Sequence, residues 1–128
     1  MISRYSVREV LKKHQETRHL GIYGFASDQS PRPTKKTYWR TFLGVKVPVF
    51  TGAERLAREY DIPIVFGAVK RIKRGYYELE FKLLSENPSE EKKYAITDQF
   101  TTFLEHQIIE NPSHYFWTHN RFKFASMD

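Results

Sequence analysis

With 128 residues, 40% of them hydrophobic and 28% charged, the chain is long enough for one domain at ~100–200 residues per domain and too apolar to be disordered, which excludes repeat arrays and multidomain enzymes. It contains no cysteine, so disulfide scaffolds, zinc–thiolate sites, iron–sulfur clusters and cysteine nucleophiles are excluded as well. The formal charge of +6 is unevenly spread: residues 85–111 carry six acids against two lysines and the remainder sums to +10, which points to a partner bearing phosphates or to an anionic membrane surface.

Ser6 and Glu9 have capping-box spacing, and Val7, Val10 and Leu11 follow at helical intervals, so a helix over about 6–17 is expected. Leu20, Ile22, Tyr23 and Phe25 make a short apolar run that reads as a buried strand over 20–26, with Asp28 and Gln29 just past its carboxyl end. Pro31 and Pro33 then force a loop to about Tyr38. Val45, Val47 and Val49 around Pro48 suggest an edge strand. Thr51 and Glu54 form a second capping box, with Ala53, Leu56, Ala57 and Tyr60 striping one helical face.

Residues 62–69 are almost continuously apolar, as in a strand covered on both faces, and 76–84 alternate Tyr, Leu and Phe with Glu and Lys; Arg74-Gly75 is the turn between them. Ile96, Phe100, Phe103, Leu104 and Ile108 mark a long amphipathic helix that ends near Asn111-Pro112. The final stretch, 113–123, is aromatic and basic. These elements predict an α/β fold with a partial mixed sheet of about four strands flanked by helices. A sheet that small, opening on a buried type of strand, could lack its other half, and its exposed edge would offer a route to self-association. No run of 18 apolar residues occurs, and Met1-Ile2-Ser3-Arg4 opens no apolar leader, so neither a membrane span nor a secretion signal is expected.

Several constellations could carry chemistry. Asp28 and Gln29 lie where open α/β sheets place their sites, although Asp28 could equally cap the Ser30-Pro31 turn. Lys70, Arg71, Lys73 and Arg74 put four cations in five residues, either to hold phosphate or to protect a sheet edge. Tyr115, Phe116, Trp117, His119, Arg121, Phe122 and Lys123 interleave rings with cations, which suits base stacking, lipid headgroups or docking of a chain end. The histidine pairs His14/His19 and His114/His119 are five apart, a poor match to helical metal ligands, so no metal site is expected. Nucleophile elbow, Walker and dinucleotide signatures are all missing from the chain.

Two segments, Tyr23-Gly24-Phe25-Ala26-Ser27-Asp28-Gln29-Ser30-Pro31 and Tyr115-Phe116-Trp117-Thr118-His119-Asn120-Arg121-Phe122-Lys123, together resemble the bacterial lipid A biosynthesis acyltransferases of the lysophospholipid acyltransferase superfamily. Val49-Phe50-Thr51-Gly52, Leu56-Ala57, Ile62-Pro63-Ile64-Val65 and Gly75-Tyr76-Tyr77 fall between them in the family's order, so that the resemblance spans about residues 5 to 123. It implies the C-terminal part of an acyltransferase domain in lipopolysaccharide biosynthesis. The implied reaction moves a fatty acyl chain from an acyl carrier protein thioester to a hydroxyl of a glycolipid precursor, at the cytoplasmic face of the inner membrane, without a metal or redox cofactor.

The resemblance places Asp28 and Gln29 in the cleft, Lys70 and Arg71 toward anionic groups, and Arg121 and Lys123 near phosphate; Trp117 and His119 could instead lock the chain end onto the sheet. It also implies a His-x4-Asp/Glu general base. Five positions after His14, His19, His106, His114 and His119 stand His19, Gly24, Asn111, His119 and Phe124. None is a carboxylate, so no catalytic residue is assigned and this chain by itself is expected to be inactive. The alternative is a non-enzymatic basic module for nucleic acid or an anionic membrane, in which each neutralised phosphate would steepen the salt dependence of binding.

Overall fold

A computed structural model describes residues 7–115 and 118–125. Three helices and two antiparallel hairpins follow one another: α1 (Val7–Glu16), β1 (Tyr38–Phe42), β2 (Val45–Val49), α2 (Gly52–Tyr60), β3 (Ile64–Lys73), β4 (Tyr76–Ser85) and α3 (Ala95–Glu110). The α/β class is as expected, but the strands form two separate two-stranded sheets, β1–β2 and β3–β4, in place of one mixed sheet.

The expected strand over 20–26 is not formed. Residues 18–27 are irregular, with Leu20 93% and Ile22 fully exposed. Gly21 and Gly24 weaken strand pairing there, and among the described residues no strand pairs with this segment. Conversely, β1 occupies residues that follow the expected proline loop. The turn Leu43-Gly44, with φ of 49° and 82°, joins it to β2 in the both-positive geometry that suits the twist of a two-residue hairpin. Register pairs Tyr38 with Val49 and Phe42 with Val45.

α3 holds the two hairpins together. Ile96, Phe100, Leu104 and Ile108 recur every four residues, which puts them on one face. Leu104 and Ile108 pack with Phe42, Val47 and Val49 from the first hairpin, Ile96 packs with Phe66 and Leu84 from the second, and Phe100 touches both groups. Phe42 and Val47 are completely buried, each worth about 1.5–3 kcal/mol of transfer free energy. Arg40 ties β1 to α3, its guanidinium 3.0 Å from Asp98 and 3.2 Å from Glu105, with Thr102 Oγ1 accepting at 2.9 Å.

Of the two capping boxes, only the second lies wholly within the described residues. Ser6 lies outside the described residues, so the first is not described. At the second, Thr51 precedes α2 without a side-chain cap bond. Glu54 turns instead toward the start of α3, where its carboxylate accepts from the backbone N–H of Tyr94 (3.0 Å), Ile96 (2.9 Å) and Thr97 (3.1 Å). It does so while only 4% exposed. A charged acceptor thus satisfies donors that the first turn of a helix leaves without partners. α1, with Leu11 buried, is tied to α2 by the Arg8–Glu59 ion pair at 2.7 Å and a 2.6 Å bond from Gln15 Nε2 to the Tyr60 carbonyl.

Candidate functional site

The bend at Asp28-Gln29-Ser30 is fixed by the chain end, eighty-seven to ninety-two residues away. The Tyr115 hydroxyl donates to the Asp28 carbonyl at 3.1 Å, and the Ser30 N–H donates to His119 Nε2 at 3.1 Å, which places the His119 proton on Nδ1. Ser30 Oγ donates to the Arg121 carbonyl at 2.5 Å, and the Arg121 guanidinium donates to the Gln29 carbonyl. Three of the four contacts reach the bend's own backbone, and the fourth uses the Ser30 hydroxyl.

Arg121 is the pin of this clamp. It is 2% exposed, with its guanidinium 5.2 Å from the Phe42 ring centroid, a cation–π distance. Its Nε is buried without a hydrogen-bond partner among the described residues. Burial lowers its pKa, and the nearby Tyr115 and Asp28 work the other way. Burial likewise raises the Tyr115 pKa, and its hydroxyl donates to the Asp28 carbonyl.

Below the bend lies a cavity of about 320 Å³, walled by Asp28 and Ser27 on one side, Phe66, Gly67 and Val69 of β3 on another, and Phe100 and Gln107 of α3 with Asn111 just past its end on the third. Gln107 Nε2 donates to the Val69 carbonyl at 2.8 Å and so joins β3 to α3 at this wall. Asp28, Gln107, Asn111, His114 and Tyr115 give the cavity its polar groups. A second, more apolar space of about 710 Å³ opens between residues 21–25, α2, the start of β3 and α3.

Of the residues singled out in the sequence, Asp28, Gln29, His119 and Arg121 come together here. Lys123 is exposed on the turn that follows, its Nζ 5.0 Å from the Phe124 ring. Lys70 and Arg71 are exposed on β3 immediately beyond Val69, the strand's last residue in the cavity wall. Trp117 is outside the described residues. Gln107 and Asn111 are not among the candidate site residues of the sequence, and His114 is weighed there only as a metal ligand or general base. Their signal is polar residues at intervals of four and three at the end of an otherwise apolar helical face, but only the folded chain shows that Asp28 lies opposite.

In a comparison with known families, the model of the bacterial lipid A biosynthesis acyltransferases fits residues 1–124. The chain belongs to this family. No curated protein and no solved structure matches it. As a lipid A acyltransferase family chain it carries both end motifs, and the clamp shows why they occur together: one segment is the bend and the other holds it. Among the described residues no helix is long and apolar enough to cross a membrane, and no group of three or more potential metal ligands is found.

Proposed function

We propose that this chain forms the acceptor side of an acyltransferase that moves a fatty acyl chain from an acyl carrier protein thioester to a hydroxyl of a lipid A precursor, at the cytoplasmic face of the inner membrane. The reading is carried by one observation: in a chain of this family, the bend at Asp28-Gln29-Ser30 is joined to the other end motif by four hydrogen bonds, one of them to the Asp28 carbonyl, and Asp28 lines the wall of a cavity that polar side chains share with apolar ones. In the reaction the acceptor oxygen bonds to the thioester carbonyl carbon, the carbon–sulfur bond breaks, and the hydroxyl proton passes through a general base to the departing thiolate.

None of the five histidines opens a His-x4-carboxylate motif, so that base comes from outside these 128 residues. Asp28 is then an acceptor-orienting group, and Lys70 and Arg71, beyond the cavity wall, meet the precursor's anionic groups as point and fork charges. The burial of Arg121 and the 3.1 Å bond to His119 support positioning roles for both, exerted through the bend and without contact with phosphate. Lys123, exposed, keeps a place at the anionic surface. A buried Arg121 and half-buried Phe122 and Phe124 also make the tail a poor platform for stacking bases.

The test is an acylation assay with acyl carrier protein thioester and lipid A precursor, run on this chain and on the chain joined to a segment bearing a His-x4-Asp/Glu motif. Turnover only in the joined form, lost in Asp28→Asn, is the expected result. Turnover by the 128 residues unaided would overturn the assignment of the base, and precursor binding unchanged by Asp28→Asn and Arg71→Ala would overturn that of the site.

A further inference from the structure

Cross-strand pairing sorts the β3–β4 hairpin into two unlike faces. Phe66/Lys82, Ala68/Glu80 and Lys70/Glu78 share one, and Val65/Leu83, Gly67/Phe81, Val69/Leu79 and Arg71/Tyr77 share the other. The first face sends Phe66 and Ala68 against α3. The second is apolar for most of its length and bare: Val65, Val69, Leu79, Phe81 and Leu83 are each 50–64% exposed and Tyr77 66%. A Cβ on Gly67 would meet Leu79 and Phe81 at 3.6 Å, so these side chains already lean together over the glycine into a continuous strip. Contiguous exposed apolar surface of this kind marks an interaction site.

The hairpin is also charged in opposite senses at its two ends. Lys70, Arg71, Lys73 and Arg74 crowd the turn, whereas the open end gathers Asp61, Glu86, Glu90 and Glu91, partly offset by Lys92 and Lys93. Asp61 is held there by Ser89, whose hydroxyl donates at 2.7 Å, and Glu91 by Ser85 at 3.0 Å. An anionic bilayer would attract the turn but repel the acidic end of the same apolar strip. A second copy lying antiparallel places each basic turn over the other's acidic end while the two strips meet.

We propose that a second copy of this chain docks on the bare face of the β3–β4 hairpin, strands antiparallel about a two-fold axis. The strip is one hairpin wide and about 33 Å long for ten-residue strands, so the contact belongs to the small class of specific interfaces. The proposal rests on other observations than the acyl-transfer reading, but its face includes Arg71 and the cavity-wall residues Gly67 and Val69, so the two share residues.

Sedimentation velocity on the intact chain tests it, from low micromolar to near-millimolar concentration. The expected result is a monomer–dimer equilibrium. Raising salt from ~0.1 M to ~1 M, which shortens the screening length from ~10 Å to ~3 Å, should weaken the dimer about tenfold. Phe81→Lys should abolish it with circular dichroism unchanged, since that ring is exposed.

A turn-reversed variant (Lys73→Glu with Arg74→Glu) and an end-reversed variant (Glu86→Lys with Glu90→Lys) should each associate poorly alone and recover the parent affinity when mixed. A monomer throughout, a dimer indifferent to Phe81→Lys, or a mixture no tighter than its components would each overturn the proposal. So would a monomer that anionic vesicles capture through Phe81.

Discussion

Replacing Glu54 by alanine is expected to destabilise the fold by about 4 kcal/mol. The side chain is 4% exposed and accepts three backbone N–H bonds at the start of α3. Bonds to a charged acceptor are worth about 1.5–3 kcal/mol each, but three on one carboxylate do not add fully, and breaking a buried charged contact costs about 3–5 kcal/mol. Glutamine separates the contributions. Its single carbonyl oxygen can keep the Ile96 and Thr97 bonds only by turning its NH₂ toward the Tyr94 N–H, so about 2 kcal/mol is lost through donor facing donor. Urea denaturation at constant m reads both values, and hydrogen exchange at the Ile96 and Thr97 amides should accelerate in the order alanine, glutamine, parent. An alanine variant within about 1 kcal/mol of the parent would refute the reasoning, because donors buried at a helix start would then have found other partners at little cost.

Two other outcomes are expected. Arg121→Met keeps bulk under the bend but removes the donor to the Gln29 carbonyl; a loss of about 2 kcal/mol and faster proteolysis within residues 27–31, with α3 amides still protected, would match its role as a pin, and unchanged proteolysis would not. Tyr38, bonded to Asp98 at 2.7 Å, has its pKa pushed up to about 12 by burial, the Asp98 hydrogen bond and the Asp98 charge. The proton is held more tightly in the folded state than in the unfolded one. Its stabilising contribution is therefore complete below pH 10 and disappears as pH rises through about 12. Denaturant midpoints should fall across that window, and Tyr38→Phe should remove part of the fall.

What the sequence made legible was whatever depends on near neighbours. Periodicity located α1, α3 and β2 to within two or three residues, and Arg74-Gly75 gave the right turn, with Gly75 at φ +80°. The same reading placed a strand over 20–26 because Leu20, Ile22 and Phe25 are apolar, yet an apolar run becomes a strand only if another strand accepts its backbone. It overlooked β1, whose Tyr38, Trp39 and Phe42 favour a strand but follow a proline loop. Covering both faces of β3 was likewise expected from its composition, whereas the exposed valines at 65 and 69 show one face covered.

At the site, Asp28 and His119 could be named from their motifs. The burial of Arg121 could not, since arginine normally seeks water and only Phe42, Gln29 and Ser30, far along the chain, reverse that preference. Glu54 shows the same limit: its spacing from Thr51 fits a local cap, and a helix forty residues away claims the carboxylate.

The two sheets share no strand, and Phe100 is the ring that touches the core of each. Mechanically the molecule is therefore two leaves on a common spine. Since the cavity beside Asp28 is walled by that spine and by only one of the leaves, a small roll of α3 about its own axis would alter the width of the cavity without breaking a single rung of either ladder.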